Sequence, residues 1–329
     1  MFKNLVNIND FLELHLFFKR KRQIPVTLLL KIFSSDKNRT KSAWAHNESP
    51  PTHWWDIPEV RERWNFLITG NNKIDYPEYF KGTFLLNKEK LKALSLGSGT
   101  GHRELKWAAS NKFERIDAID LSRTRIEYAK KRSELEGYSD IINYQVKDFD
   151  EIENKKLYDI IFCEQSLHHF SPMQGAVEKI KSLLKTNGLL LINEYVGPNR
   201  FQWTKKQLFE TNKLLNTIPI KYRTFFNSKI IKSKVYRPGL IRMILNDRSE
   251  AAESEQMLPS LNNYFSLIEI KEYGGTILHP LFNGIAHNFI NSEKETKELL
   301  QKCFAIEDEL LDANKIKSDF IFAVYKKTG

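Results

Sequence analysis

The stretch Leu94-Ser95-Leu96-Gly97-Ser98-Gly99-Thr100-Gly101 runs an apolar segment straight into three glycines at alternate positions, and a helical pattern over Arg103–Ala109 follows. Glycine is needed where a turn is tight and a ligand must approach the backbone with no Cβ in the way. An ordinary strand-to-helix turn could carry the same glycines, so the residues further along decide between the two readings. Short apolar runs then alternate with amphipathic segments. Strands are predicted at Ala93–Leu96, Ile116–Ile119, Ile142–Val146, Tyr158–Phe162 and Leu189–Asn193, and helices at Arg123–Leu135 and Met173–Leu184. That alternation predicts a mostly parallel sheet with helices on both faces. Two further alternating runs, Phe265–Tyr273 and Asp319–Tyr325, complete it at one edge, giving an α/β fold of seven strands.

Polar groups recur at the strand ends. Nineteen residues beyond Gly101, Asp120 closes the second strand in Ile119-Asp120-Leu121-Ser122, where an acid can accept both hydroxyls of a ribose. Asp148 stands at the end of the third strand in Val146-Lys147-Asp148-Phe149, where a carboxylate can receive an adenine amino group. The fourth strand delivers Glu164-Gln165-Ser166-Leu167-His168-His169-Phe170 to the same crevice. A dinucleotide fingerprint needs glycine at the sixth position of GxGxxG, and His102 occupies it here, which disfavours a dehydrogenase.

Over about residues 91–195 these successive motifs resemble those of the class I S-adenosylmethionine-dependent methyltransferases. The resemblance implies a Rossmann-like sheet and S-adenosyl-L-methionine as cofactor. It implies Gly97, Gly99 and Gly101, with Ser98, around the amino acid part of the cofactor, and Asp120, with Leu121, at the ribose. Asp148 falls at the adenine with Phe149 beside it, and Glu164 and Gln165 fall near the methionine moiety. One departure is visible: many members carry an acid two residues before the first glycine, and this chain has Ser95. The flanks Trp55-Asp56-Ile57-Pro58-Glu59-Val60, Asn193–Trp203, Arg237-Pro238, Ser249-Glu250-Ala251 and Tyr273–His279 are similar to a bacterial branch associated with polysaccharide or specialised-metabolite pathways.

Methyl transfer from a sulfonium is an in-line displacement, so the protein chiefly aligns donor and acceptor and supplies a base for a hydroxyl acceptor. Candidate catalytic residues are His168 and His169 after the fourth strand, Glu194 and Tyr195 after the fifth, and His279 after Gly274-Gly275. Capping, packing or a plain structural imidazole is the alternative reading of the histidines. Arg200 and Trp203 are candidates to bind an anionic or sugar-like acceptor.

The remaining organisation is a basic helical extension over 1–45, a helical cap over 46–87 rich in aromatics, the cofactor-binding core over 88–196, a helical lid insertion over 197–262, and the final strands with a helical insertion over 263–329. The formal charge is +10, yet residues 1–45 hold nine Lys/Arg against three acids, so the other 284 residues carry only +4. This argues against a general polyanion-binding face on the catalytic body. Phe11, Leu14, Phe17 and Phe18 fall near one helical face beside Lys19-Arg20-Lys21-Arg22, which points to peripheral docking on an anionic membrane surface or an acidic substrate, against a merely solvated surface. No apolar run is long enough to span a bilayer. Two cysteines, Cys163 and Cys303, give neither a disulfide framework nor metal-ligand spacing, so no metal is expected and a reducing cytoplasm is the natural compartment.

Three functions fit. The first is O-methylation of a small molecule or glycan. The second is nucleic-acid methylation, favoured by an isoelectric point of about 9.3. It is disfavoured because Glu164-Gln165-Ser166-Leu167 lacks the two prolines and aromatic typical of base-amine enzymes. The third is a cofactor-binding regulatory protein without turnover. Oligomeric state is not legible.

Overall fold

The computed structural model describes residues 4–7, 10–11, 50–153 and 158–327. The expectation of a membrane-docking basic helix within residues 1–45 falls mostly on residues 12–45, which lie outside the described residues. Among those described, no helix is long and apolar enough to cross a membrane.

Three parallel βα units set the architecture. Strands β1 (Leu91–Leu96), β2 (Phe113–Asp120) and β3 (Ile142–Val146) alternate with helices, as do β4 (Tyr158–Glu164) and β5 (Leu184–Tyr195). Two later strands, β6 (Ser266–Glu272) and β7 (Phe320–Lys326), finish a seven-stranded sheet of order β3-β2-β1-β4-β5-β7-β6. Only β7 runs antiparallel to its neighbours, pairing Leu191 with Val324 on one side and Ile270 with Ala323 on the other. The predicted strands are all present. β5 begins earlier than Leu189 and takes in the left-handed Asn187 and Gly188, whose pairing with Lys327 extends the ladder.

Among the described residues, ten helices of five residues or more follow in chain order: α1 (Pro58–Thr69), α2 (Tyr76–Phe84), α3 (His102–Ala108), α4 (Arg123–Leu135), α5 (Met173–Leu183), α6 (Lys205–Thr217), α7 (Leu240–Asn246), α8 (Met257–Tyr264), α9 (Leu278–Phe282) and α10 (Lys294–Asp312). Local signals place their ends. Pro58 occupies the first turn of α1 and Gly70 closes it at φ 79. The Asp75 carboxylate accepts the Glu78 N–H to start α2, and Thr204 and Gln207 cap α6 reciprocally.

Both sheet faces are covered, so the central strands are buried almost throughout. On one face Ala93, Ile116, Ile160, Phe162 and Leu191 pack against Trp54, Phe80 and Trp107, and the Trp107 ring stacks on Phe162 at 4.5 Å. The cap at 50–87 therefore shares the main core. On the other, Leu94, Leu96, Ile161, Cys163 and Ile192 meet Met173, Val177 and Ile180 of α5 and Met257 and Leu261 of α8. The edge strand β6 is largely exposed and carries Glu269, Lys271 and Glu272, which discourage pairing with another chain. Near the start of the chain, Asp10 accepts the Gly239 N–H at 3.0 Å and pairs with Arg242 at 2.8 Å, fastening that segment to the 197–262 insertion.

A buried carboxylate holds the turn that leads into α9. Glu307 of α10 is fully buried, accepts the N–H groups of Gly275, Ile277 and Leu278, and pairs with Arg63 of α1 at 3.3 Å. Gly274 passes so close to this carboxylate that a Cβ would collide with it. Removing one partner of a buried pair costs about 3–5 kcal/mol. Glu307→Ala should lower the unfolding free energy by about that amount in urea titration; a loss under about 1 kcal/mol would contradict this account.

Candidate cofactor site

A cavity of about 790 Å³ opens at the carboxyl ends of β1, β2 and β4. Its size falls in the range of about 300–1,000 Å³ usual for ligand pockets, and its place is where doubly wound sheets bind ligands. Gly97, Asp120, Leu121, Asp148, Phe149, Gln165 and His169 line it from the core, and Arg200, Arg248 and Ser249 from the insertion.

The glycine turn is built by backbone conformation. Gly97, Gly99 and Gly101 have φ of 69°, 57° and 77°. Their reasons differ. A Cβ at Gly97 would stand 2.6 Å from Ser166 Cβ, and one at Gly101 would strike the Tyr144 hydroxyl, whereas one at Gly99 meets only Arg125 at 3.6 Å. Gly97 and Gly101 thus answer close protein packing, whereas Gly99 is demanded by its left-handed backbone alone. Asp120 braces the turn, its Oδ2 accepting the Gly99 N–H at 2.9 Å and its Oδ1 the Ser122 N–H at 2.7 Å. Each oxygen keeps a lone pair for a ribose hydroxyl.

Asp148 starts the turn Phe149–Glu151, and Phe149 packs edge-on against Phe170 at 5.1 Å. These two rings give the cavity an apolar wall next to the Asp148 carboxylate. Ser166, also on the wall, has a buried hydroxyl with no hydrogen-bond partner among the described residues. A paired acid at β2, an acid and aromatic wall at β3 and an unpaired donor at β4 fit a nucleoside-bearing ligand.

The acid missing at Ser95 is present in space. Ser95 Oγ donates to Glu104 Oε1 of α3 at 2.5 Å, and Glu104 Oε2 is buried without a partner among the described residues. Burial, helped by the neighbouring Glu164 carboxylate, pushes the Glu104 carboxyl up to about 7. Sequence reading missed Glu104 because its link to the β1 strand crosses the glycine turn.

Several candidates turn away from the cavity. Glu164 shares the sheet face of Ile160 and Phe162, and its carboxylate accepts from Tyr76 and from Trp107 Nε1 at 3.1 Å. Burial raises its pKa. Tyr195 is buried and donates to the Pro198 carbonyl at 2.9 Å. His279 sits among Trp54, Tyr195, Phe201, Trp203 and Phe320, where burial pushes its pKa down to about 3. A neutral imidazole enclosed by rings does not reach the cavity, so the expectation of His279 as base is corrected, and Trp203 belongs to the same aromatic cluster. Glu194 is fully enclosed. It accepts the N–H groups of Ser166 and Leu167, both at 2.5 Å, and pairs with His168 Nδ1 at 2.6 Å.

Gln165, Arg200 and His169 do reach the cavity. Gln165 is held at φ 59 by hydrogen bonds to the Asn193 carbonyl and to the Tyr273 hydroxyl at 3.3 Å. Arg200 is also left-handed, at φ 52. Burial, with Arg248 next to it, lowers its pKa. Burial opposes charge on both histidines. The Glu194 carboxylate overcomes this for His168 and raises its pKa, while the His168 charge adds to burial and lowers that of His169. Arg248 escaped sequence reading and Ser249 was legible only as part of a family-like flank, because nothing in their local pattern announces a cavity wall, whereas Ser166 lies in the fourth-strand tail expected at the crevice.

Residues 87–251 match the family described as a methyltransferase domain, and the chain belongs to this family, the class I S-adenosylmethionine-dependent methyltransferases. Membership of that family makes S-adenosyl-L-methionine the cofactor. Over 118 residues it is 31% identical to the highly reducing polyketide synthase AFT9-1 of Alternaria alternata, covering 33% of this chain and 4% of that protein. Over 174 residues it is 26% identical to the ubiquinone biosynthesis O-methyltransferase of Rickettsia conorii, covering 48% of this chain and 58% of the relative. The chain thus spans less than two thirds of either relative's length. A solved structure, the [4+2]-cyclase SpnF, matches with a TM-score of 0.46 and 16% identity over 77% of this chain and 80% of that one.

A carboxyl raised by burial stabilises the fold below its ordinary pKa of 4.5 and loses that contribution as the pH climbs through about 7. Wild type should therefore lose stability relative to Glu104→Gln between pH 5 and 8, by about 1–3 kcal/mol. Urea unfolding at the two pH values checks this; parallel pH dependence would refute it.

Proposed function

We propose that the chain transfers the cofactor's methyl group to an oxygen of a small anionic acceptor held between Arg200 and Arg248. The observation that carries this is the pair of guanidinium groups on the cavity wall. Arg200 Nη1 is buried without a hydrogen-bond partner among the described residues, although a guanidinium ordinarily fills its donors. Its left-handed backbone, continued at Phe201 with φ 51, is a strained conformation of the kind that persists where function requires it. Two like charges facing one cavity suit a carboxylate or phosphate.

When bound, S-adenosyl-L-methionine supplies an electrophilic methyl on a sulfonium. The residues' task is alignment. Asp120 and Asp148 would fix the nucleoside end, and the glycine turn would let the other end lie against backbone. Arg200 and Arg248 would hold the acceptor on the insertion side, where His169 and Ser249 are further polar groups of the wall. Orientation of this kind supplies a large part of the rate of a displacement. The Rickettsia relatives and a malonyl-[acyl-carrier protein] O-methyltransferase of Ilyobacter polytropus, 29% identical over 124 residues, support oxygen as the acceptor atom.

Calorimetry with S-adenosylhomocysteine should show binding to wild type, and Asp120→Ala should abolish it while leaving the circular dichroism spectrum intact. In a methyl-release screen, anionic hydroxy compounds should outperform neutral analogues. Arg200→Ala should then lower kcat/KM about ten- to a hundredfold, the worth of a hydrogen bond to a charged group. Equal turnover of neutral and anionic acceptors would sink the anionic reading, and no cofactor binding by folded wild type would sink the site itself.

A further inference from the structure

We propose that His168, His169 and Glu250 bind one divalent transition-metal ion, of the zinc class, at the edge of the cofactor cavity. The imidazoles come from the turn after β4 and the carboxylate from the 197–262 insertion. One ligand atom from each lies within 4.8 Å of the others.

The second shell decides which ring nitrogens are available. His168 Nδ1 lies 2.6 Å from the Glu194 carboxylate, which can only accept, so Nδ1 carries the hydrogen. His169 Nδ1 lies 3.0 Å from Ser249 Oγ, and that hydroxyl gives its own hydrogen to Asp247 Oδ1 at 2.6 Å. Ser249 oxygen therefore receives the His169 Nδ1–H. In the neutral form of each ring Nε2 then carries the lone pair, the arrangement in which imidazoles ligate metal with a carboxylate or hydroxyl behind them.

Both lone pairs face the same carboxylate. His168 Nε2 is 3.5 Å from Glu250 Oε1, and His169 Nε2 is 3.9 Å from Glu250 Oε2. These separations exceed a normal hydrogen bond of about 2.7–3.2 Å. They come close to the roughly 3.3 Å between ligand atoms that share a tetrahedral zinc ion at bonds of about 2.0–2.2 Å. With the rings neutral, two lone pairs and an anion face one another, and either a proton or a metal ion supplies the positive charge between them. Two imidazoles and one carboxylate suit zinc or ferrous iron, whereas magnesium takes oxygen ligands. Three protein ligands would leave a coordination position for water or for an oxygen of a molecule in the cavity, since His169 and Ser249 form part of the wall. The inference stands on this geometry and does not depend on the acceptor proposed above.

The test is calorimetric titration of the chelator-stripped full chain with Zn²⁺, with Mg²⁺ as control, and a Co²⁺ titration read by visible absorption. One Zn²⁺ per chain is expected, with a tetrahedral Co²⁺ band and no displacement by equimolar Mg²⁺. Glu250→Gln, a near-isosteric change at a partly exposed side chain, and His169→Ala should each weaken Zn²⁺ binding at least tenfold. Glu194→Gln should weaken it about ten- to a hundredfold through His168. Far-ultraviolet circular dichroism in chelator reports whether each variant is folded, and S-adenosylhomocysteine binding by wild type tests the methyltransferase site separately. Absence of stoichiometric Zn²⁺ binding, or equal affinity in wild type and Glu250→Gln, would overturn the proposal and leave a shared proton as the charge between the rings and Glu250.

Discussion

The Glu194 carboxylate is the constraint around which the site is arranged. It lies at the end of β5, out of reach of solvent, and receives two backbone N–H groups from the turn after β4 together with the His168 ring. A buried carboxylate without such partners would be costly. With them it locks β4 and β5 together at the level where the cavity begins. The position of Ser166 on the wall, and of the two histidines after it, follows from that one group.

Around this point the chain assembles a site from parts with different roles. The glycine turn and Asp120 form a rigid half, in which the backbone does the shaping and the acid braces it. The insertion contributes Arg200, Arg248, Ser249 and Glu250, which approach from the other side of the opening. In the proposed reading, core residues serve the cofactor and the insertion serves the acceptor. This division is the one expected where loops on a rigid scaffold carry selectivity.

The sheet and the core residues that line the cavity were legible in the sequence because both depend on short-range pattern. Apolar runs of strand length, glycines directly after the first and acids at the ends of the next two all lie within local stretches. Glu164 lies two residues beyond Phe162 and so shares the sheet face of Ile160 and Phe162, a parity that outweighs its chemistry. His279 follows a glycine pair that suggests a loop at a site, yet those glycines serve the tight packing of Trp54, Phe320 and Glu307. The partnership of Ser95 with Glu104, and of the two histidines with residues about 80 positions onward, has no signature in any window of sequence.

The antiparallel β7 lies between β5 and β6 and supplies both with hydrogen bonds. β6 precedes it by the 47 residues 273–319, which include α9 and α10. Until β7 arrives, β6 has no place in the sheet and β5 presents an open edge of unpaired amides. The chain must therefore close a long loop before its fifth strand is protected, a slow kind of contact to form. The ordering of β5 and β6 is thereby tied to a late event in folding, while β1 to β4 can pair from contacts made early.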